Sequence, residues 1–236
     1  MTKLKAILAL GAVLLCAAAW AQPPASPPPS QPSQPSPEGV LLHTHSAAGL
    51  VPVRSWKTLR DERIVKQDLD YSCGAASLAT LLNEFYGQNL TEAQILQALD
   101  QGDGMASFAD MARVLPQFGF RGQGLAADWA QLSRLRMPVV VYLHHRRSEH
   151  FSVIRGIDEH TVWLADPSLG NRSYSREQFE QMWQTRADRP QPELAGKFMA
   201  VLPLRDRIST AGDFFTHTPQ RQSAPARQQL GFRALP

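Results

Sequence analysis

Cysteine is nearly missing from this 236-residue chain, which has two, Cys16 and Cys73. A scaffold stapled by several disulfides is therefore excluded, and once Cys16 leaves with an export signal the remaining thiol has no partner in its own chain. Long hydrophobic runs are just as scarce. The uninterrupted one, Ala6–Trp20, is shorter than the roughly 20 residues of a comfortable membrane span. A one-signed charge surplus is also lacking where it would matter. Of the formal +3, Lys3 and Lys5 supply two, and residues 205–236 hold five Arg against two Asp, so the stretch between is slightly acidic. The basic balance belongs to the ends and argues against a nucleic-acid groove. No cluster of metal-ligand residues stands out: His144 and His145 read as turn residues beside His150, and neither a metal nor an organic cofactor is called for.

What is present divides into four segments. Residues 1–21 read as a signal peptide, with two early lysines, the apolar run and Ala19-Trp20-Ala21 as the small-x-small cleavage pattern. A lipid anchor on Cys16 would want a small residue where Leu15 stands; an uncleaved anchor is the other alternative. The expected address is the periplasm. Residues 22–50 form a Pro-rich linker, and 205–236 a polar, basic tail. Both are expected to be disordered, because they hold too little apolar surface to offset the entropy of ordering. Either could dock an outer-membrane export partner, the tail through Phe214-Phe215 or Leu230-Gly-Phe232. Residues 51–204 are left as one domain, large enough for a single core. No internal repeat is apparent.

Caps and periodicity place the domain's elements. Ser72 is a candidate N-cap for a helix over 73–86 that buries Leu78, Leu81, Leu82 and Phe85 and stops at Gly87. Thr91 with Gln94 forms a capping box for a second helix. A third runs from Ser107 to Phe118, and Asp128 caps a short fourth. Then the pattern changes. Strands are expected over Val139–Leu143, His150–Gly156, Thr161–Ala165 and Lys197–Leu204, with a helix opened by the Ser175/Gln178 box before the last. Helices followed by an antiparallel sheet define an α+β fold.

On this scaffold Cys73 falls at a helix start, where unpaired N–H groups and the positive dipole end favour an anion. Thiols react as thiolates, and a neighbouring imidazolium assists. Gly74, Ala75 and Ala76 lack bulk, so substrate backbone could approach the sulfur. By type alone, Cys73 could equally be a packed core residue. Of the seven histidines, His43, His45 and His217 lie in segments read as flexible, His160 in a polar turn, and His144 and His145 at a strand exit. His150 opens a strand after a hairpin turn, where the sheet can fix a side chain that faces a cleft. Asp166 ends the next strand. If the two strands pair, Asp166 reaches one ring nitrogen of His150 while the other faces Cys73.

Several blocks carry a resemblance. Gln67 six residues before Cys73, Cys73-Gly-Ala-Ala, Met137-Pro-Val-Val-Val-Tyr, His150-Phe-Ser-Val-Ile and the run from Asp166-Pro-Ser-Leu-Gly to Phe179 together resemble the bacteriocin-processing, double-glycine leader peptidases. These are papain-like cysteine peptidases, and the likeness spans Ile64 to Leu204. It implies that Cys73 is the nucleophile, His150 the general base and acid, and Asp166 its orienting partner. Gln67, with the Cys73 backbone N–H, would donate to the oxyanion. The implied substrate is a polypeptide cut beside small residues such as Gly or Ala. Family members are commonly fused to a transporter and face the cytosol; the signal segment here implies work on the other side of the membrane. Ser77 stands where many members carry a second cysteine. An exported, stand-alone layout is similar to the peptidases of functional-amyloid secretion systems, which implies an amyloid subunit or another secreted or export component as substrate. Two alternatives stay open, a transglutaminase-like or cell-wall amide hydrolase and a non-catalytic peptidase-shaped clamp.

Overall fold

The computed structural model describes residues 39–219, apart from 47, 101, 103, 146–147, 187–193 and 206–209. The expected signal peptide, the linker up to 38 and the tail from 220 lie outside the described residues. In chain order the elements are β1 Gly39–His43, β2 Ala48–Pro52, α1 Trp56–Asp61, α2 Cys73–Glu84, α3 Glu92–Leu99 and α4 Phe108–Val114, which runs into a 3-10 turn Leu115–Phe118. There follow β3 Phe120–Ala127, α5 Trp129–Leu132, β4 Val139–His145, β5 Ser148–Ile157, β6 Thr161–Asp166, β7 Gly170–Ser175, α6 Arg176–Trp183, β8 Gly196–Pro203 and a last 3-10 turn Gly212–Phe214.

The sheet is antiparallel in the order β3-β8-β4-β5-β6-β7. Its residues alternate between two cores, as the strand period requires. Val140, Phe151, Val153, Ala165 and Met199 pack with α2, α3 and α4 on one face. Val141, Leu143, Ile154, Leu164 and Phe198 pack with Trp129, Phe179 and Trp183 of α5 and α6 on the other. This is the expected α+β arrangement. The helix α2 is covered all round, with every residue from Cys73 to Leu82 buried, as befits a helix apolar on all sides. The capping boxes at Thr91/Gln94 and Ser175/Gln178 form as read, and Ser107/Asp110 and Asp128/Gln131 add two more.

Several readings need correction. Two strands escape the sequence pattern, β3 and β7, and they are the two edges of the sheet. An edge strand pairs on one side only and tolerates polar or glycine-rich sequence, which is what Phe120-Arg-Gly-Gln-Gly and Gly170-Asn-Arg-Ser supply. In β3, Gly122 is required by packing: a Cβ there would sit 2.7 Å from Leu115 and 3.1 Å from the Ala112 backbone. The linker read as disordered to residue 50 ends in the hairpin β1–β2, whose residues are all exposed. The tail read as disordered from 205 is built into the core at 211–216. Phe214 is 1% exposed, and Thr216 exchanges backbone hydrogen bonds with Arg155 and Ile157 of β5 at 3.0 and 3.1 Å. The Arg155 guanidinium lies between the rings of Trp163 and Phe214, 4.4 and 4.8 Å from their centroids. Aromatic burial and cation–π contact therefore outweigh the polar composition around Phe214.

Phe214→Ala should destabilise the domain by about 3–5 kcal/mol, read as a lowered urea midpoint with an unchanged m-value.

Candidate active site

The site is assembled where the start of α2 meets the ends of β5 and β6. Cys73 is the first residue of α2. Ser72 stands at the expected cap position but does not cap. Its hydroxyl turns back, donating to the Leu69 carbonyl at 2.7 Å and accepting from the Leu69 N–H at 3.2 Å. The first-turn N–H groups of α2 are thus not consumed by the helix's own cap. Gly74, Ala75 and Ala76 are buried, and a Cβ on Gly74 would lie 3.3 Å from Met111 and 3.5 Å from Phe151. The absence of a side chain at Gly74 lets α2 pack against α4 and β5.

Cys73 is a free, buried thiol, 1% exposed. Burial alone would suit a core residue equally well; the imidazole beside it is what a core thiol lacks. His150 Nε2 lies 2.8 Å from Asp166 Oδ2. A carboxylate only accepts, so Nε2 carries the proton of that bond and Nδ1 is left for the sulfur. Cys73 lies near enough to the ring to favour its charged form. Burial by itself would lower the His150 pKa, but Asp166, through its hydrogen bond and charge, together with the neighbouring Cys73, outweighs it and raises it to about 9. At neutral pH the ring is an imidazolium.

The Asp166 carboxylate is held on both oxygens. Oδ2 takes the imidazole, and Oδ1 accepts the N–H groups of Ser168 and Leu169 at 2.9 and 2.7 Å. Burial would push its pKa up, yet these hydrogen bonds, led by that from His150, keep it below the usual carboxylate value.

Gln67 is brought to the same place. Its backbone N–H donates to the Pro167 carbonyl at 3.1 Å, next to Asp166. Its Nε2 donates one hydrogen to the Leu69 carbonyl at 3.0 Å, and a carboxamide has a second to give. The sequence reading missed Glu92. That side chain, from a buried residue, accepts the Asp68 N–H on both oxygens at 3.1 Å and so fixes the loop beside Gln67. In the sequence it resembles an ordinary acidic residue in the first turn of a helix, a position the macrodipole already favours. Lys66, missed as well, donates to the Ser168 carbonyl at 2.7 Å. Among the described residues no group of His, Cys, Asp and Glu could hold a metal ion, and no helix is long and apolar enough to cross a membrane.

A thiol at a buried helix start, facing an imidazole and carboxylate on adjacent strands of an antiparallel sheet, has the layout of a papain-like cysteine peptidase. The chain belongs to the Peptidase C39 family, whose pattern matches residues 61–188. It is 33% identical over 141 residues to a probable functional amyloid protease, FapD, of Pseudomonas aeruginosa, covering 56% of this chain and 61% of that protein. With the FapD of Pseudomonas fluorescens it shares 32% identity over 160 residues, 63% of this chain and 70% of the relative. The fold is also that of a double glycine motif protease from an AMS/PCAT transporter, solved with its leader peptide. That likeness has a TM-score of 0.50 at 18% identity and covers 59% of this chain and 90% of the other. The peptidase domain of Streptococcus ComA matches with a TM-score of 0.50 at 22% identity, over 59% and 97%. The chain is thus a member of a peptidase family, and it spans about 61% of the length of the first of these relatives.

The two shifts fix a pH window for stability. The raised His150 value contributes fully below the ordinary 6.5 and is lost as pH rises through about 9. The lowered Asp166 value contributes fully above the ordinary 3.8 and is lost as pH falls through the folded value. Urea midpoints should therefore plateau between those ordinary values and decline on both sides, and His150→Ala should flatten the alkaline decline.

Proposed function

We propose that this peptidase is exported and cleaves a secreted polypeptide with Cys73 as nucleophile, His150 as general base and acid, Asp166 as its orienting partner and Gln67 as oxyanion donor. The observation that carries the reading is the 2.8 Å contact of His150 Nε2 with Asp166 on a ring that also meets Cys73. The imidazolium supplies the counter-ion for a thiolate. Attack forms a bond from sulfur to the scissile carbonyl carbon, and the carbonyl oxygen becomes the oxyanion. Gln67 Nε2 and the Cys73 N–H, which the Ser72 side chain does not occupy, are the donors at hand for it. As the intermediate collapses, the C–N bond breaks and His150 gives its proton to the departing amine. Water, deprotonated by His150, then releases the acyl group.

The likeness to the probable functional amyloid proteases of Pseudomonas supports a secreted amyloid component as the substrate class. The leader-peptide complex of the double glycine protease supports cleavage beside small residues such as Gly or Ala. The Ala19-Trp20-Ala21 signal pattern supports a periplasmic address.

Alkylation tests the thiol pair directly. Cys73 should react with iodoacetamide faster at pH 7 than a free thiol does, and His150→Ala should abolish the difference; equal rates in both proteins would sink the reading. The oxyanion assignment is separable from it. Gln67→Ala should lower turnover roughly 100- to 1,000-fold while leaving the alkylation rate in place. Glu92→Ala should lower turnover by less, again with alkylation unchanged, and Glu92→Gln, which keeps an acceptor for the Asp68 N–H, should recover part of the loss.

A further inference from the structure

A cavity of about 240 Å³ opens beside the His150–Asp166 pair and is not lined by Cys73. Its walls are Leu143, Leu164, Leu169, Tyr174 and Met182, with Ser148 and Ser168 adding hydroxyls. Leu143 and Leu164 are almost fully covered, whereas Leu169 is 36% exposed at the rim. The volume accommodates one large aliphatic or aromatic side chain. The apolar lining is built by the second core: Leu143 pairs with His150 across β4 and β5, so both project to the same side of the sheet. Leu164 and Asp166, two apart on β6, share that side too.

The chemistry decides which part of a substrate lies there. In acylation the carbonyl side of the cut bond stays on sulfur, and the amine side leaves with the proton that His150 donates. The leaving amine must therefore sit against His150, and the chain that follows it runs over the surface next to the imidazole. We infer that this cavity is a specificity pocket for a large apolar side chain, Leu, Met or Phe, at one of the first two positions after the scissile bond. The inference rests on the assignment of His150 as the proton donor. It adds a second determinant to a cleft that prefers small residues before the bond. Such a pocket pulls the leaving segment into register and disfavours a charged residue, which would be desolvated among three leucines and a methionine.

The test is digestion of a randomised peptide library by the full-length protein, with the cut bonds mapped by mass spectrometry. Paired peptides differing only after the bond are then assayed for kcat/KM. Cut sites enriched in Leu, Met or Phe within two residues after the bond are expected, with about 10-fold or more in kcat/KM over Gly. Leu169→Lys, at the rim, should reverse the preference toward Asp and Glu, and Met182→Ala should relax it. Because each result is a ratio within one enzyme preparation, partial misfolding lowers both members and leaves it unchanged. Cleavage without any preference on that side, or a preference that neither variant moves, overturns the pocket while the peptidase reading stands. If the folded protein cuts no peptide and Cys73 alkylates like a free thiol, the assignment of His150 fails and takes the pocket with it.

Discussion

Four consecutive residues hold the site together by binding three different parts of the fold. The Val65 N–H donates to Thr80 Oγ1 of α2 at 2.9 Å, and Lys66 Nζ to the Ser168 carbonyl at 2.7 Å. The Gln67 N–H goes to the Pro167 carbonyl at 3.1 Å and the Asp68 N–H to Glu92 of α3, also at 3.1 Å. Cys73 is on a helix, and His150 and Asp166 are on strands more than seventy residues later, so their relation cannot be set locally. The 65–68 segment sets it, because one short piece of chain fixes the helix, the turn after Asp166 and the start of α3 at once. Each of these bonds contributes modestly to stability, about 1 kcal/mol. Their geometric effect is larger, since misplacement of a reacting atom by an ångström can cost two orders of magnitude in rate.

Stability and chemistry are divided between different residues of the same elements. The middle of α2 is core: Leu78, Leu81 and Leu82 are wholly buried. Only its first residue carries a reactive group. Likewise β5 has buried Val153 and Ile154 in its middle and His150 near its start, and β6 runs through Leu164 to Asp166 at its end. With the candidate groups at element ends, the apolar stretches behind them hold their backbones fixed. The Gly74-Ala75-Ala76 run follows the same logic. At Gly74 the missing side chain lets the helix approach Met111 and Phe151 closely.

The parts legible in the sequence are those with a local cause. Side chains that cap a helix three residues on, as at Thr91 and Ser175, announce themselves, and so do β-branched strands covered on both faces such as Val139–Leu143. Of the candidate site residues, Cys73, His150 and Asp166 each sit at such a boundary, whereas Gln67 stands in a loop and was implied only by the resemblance to the leader peptidases. What was hidden depends on partners distant in the chain. The edge strands β3 and β7 are strands because β8 and β6 pair with them, and their own composition says little. Glu92 matters only because Asp68 lies opposite. Phe214, set in a polar tail, is buried because Arg63 and Arg155 present their guanidinium faces to it. A capping serine could be foreseen at Ser72, but its choice of Leu69 over the helix could not.

Two stretches outside residues 61–188, where the family pattern matches, reach the neighbourhood of the strands that carry His150 and Asp166: α1, and the segment 211–216. From the N-terminal side, α1 backs the turn after Asp166. Gly170, at φ +82, has Arg60 so near that a Cβ would fall 2.6 Å from its side chain and 2.7 Å from its backbone. Asn171 Nδ2 donates to the Leu59 carbonyl of α1 at 3.4 Å, and its Oδ1 accepts from Arg155 on β5 at 2.8 Å. From the C-terminal side, Thr216 pairs with β5 around Gly156 at the bulge, and Phe214 closes over Arg155. Arg155 is thus the point at which both additions meet, joined through Asn171 to one and through Phe214 to the other. The C-terminal segment lies on the α2 side of the sheet, where Phe214 shares the core of Cys73 and Leu78 and the Ala211 N–H donates to the Phe85 carbonyl at 2.7 Å, so it ties the far end of α2 to β5.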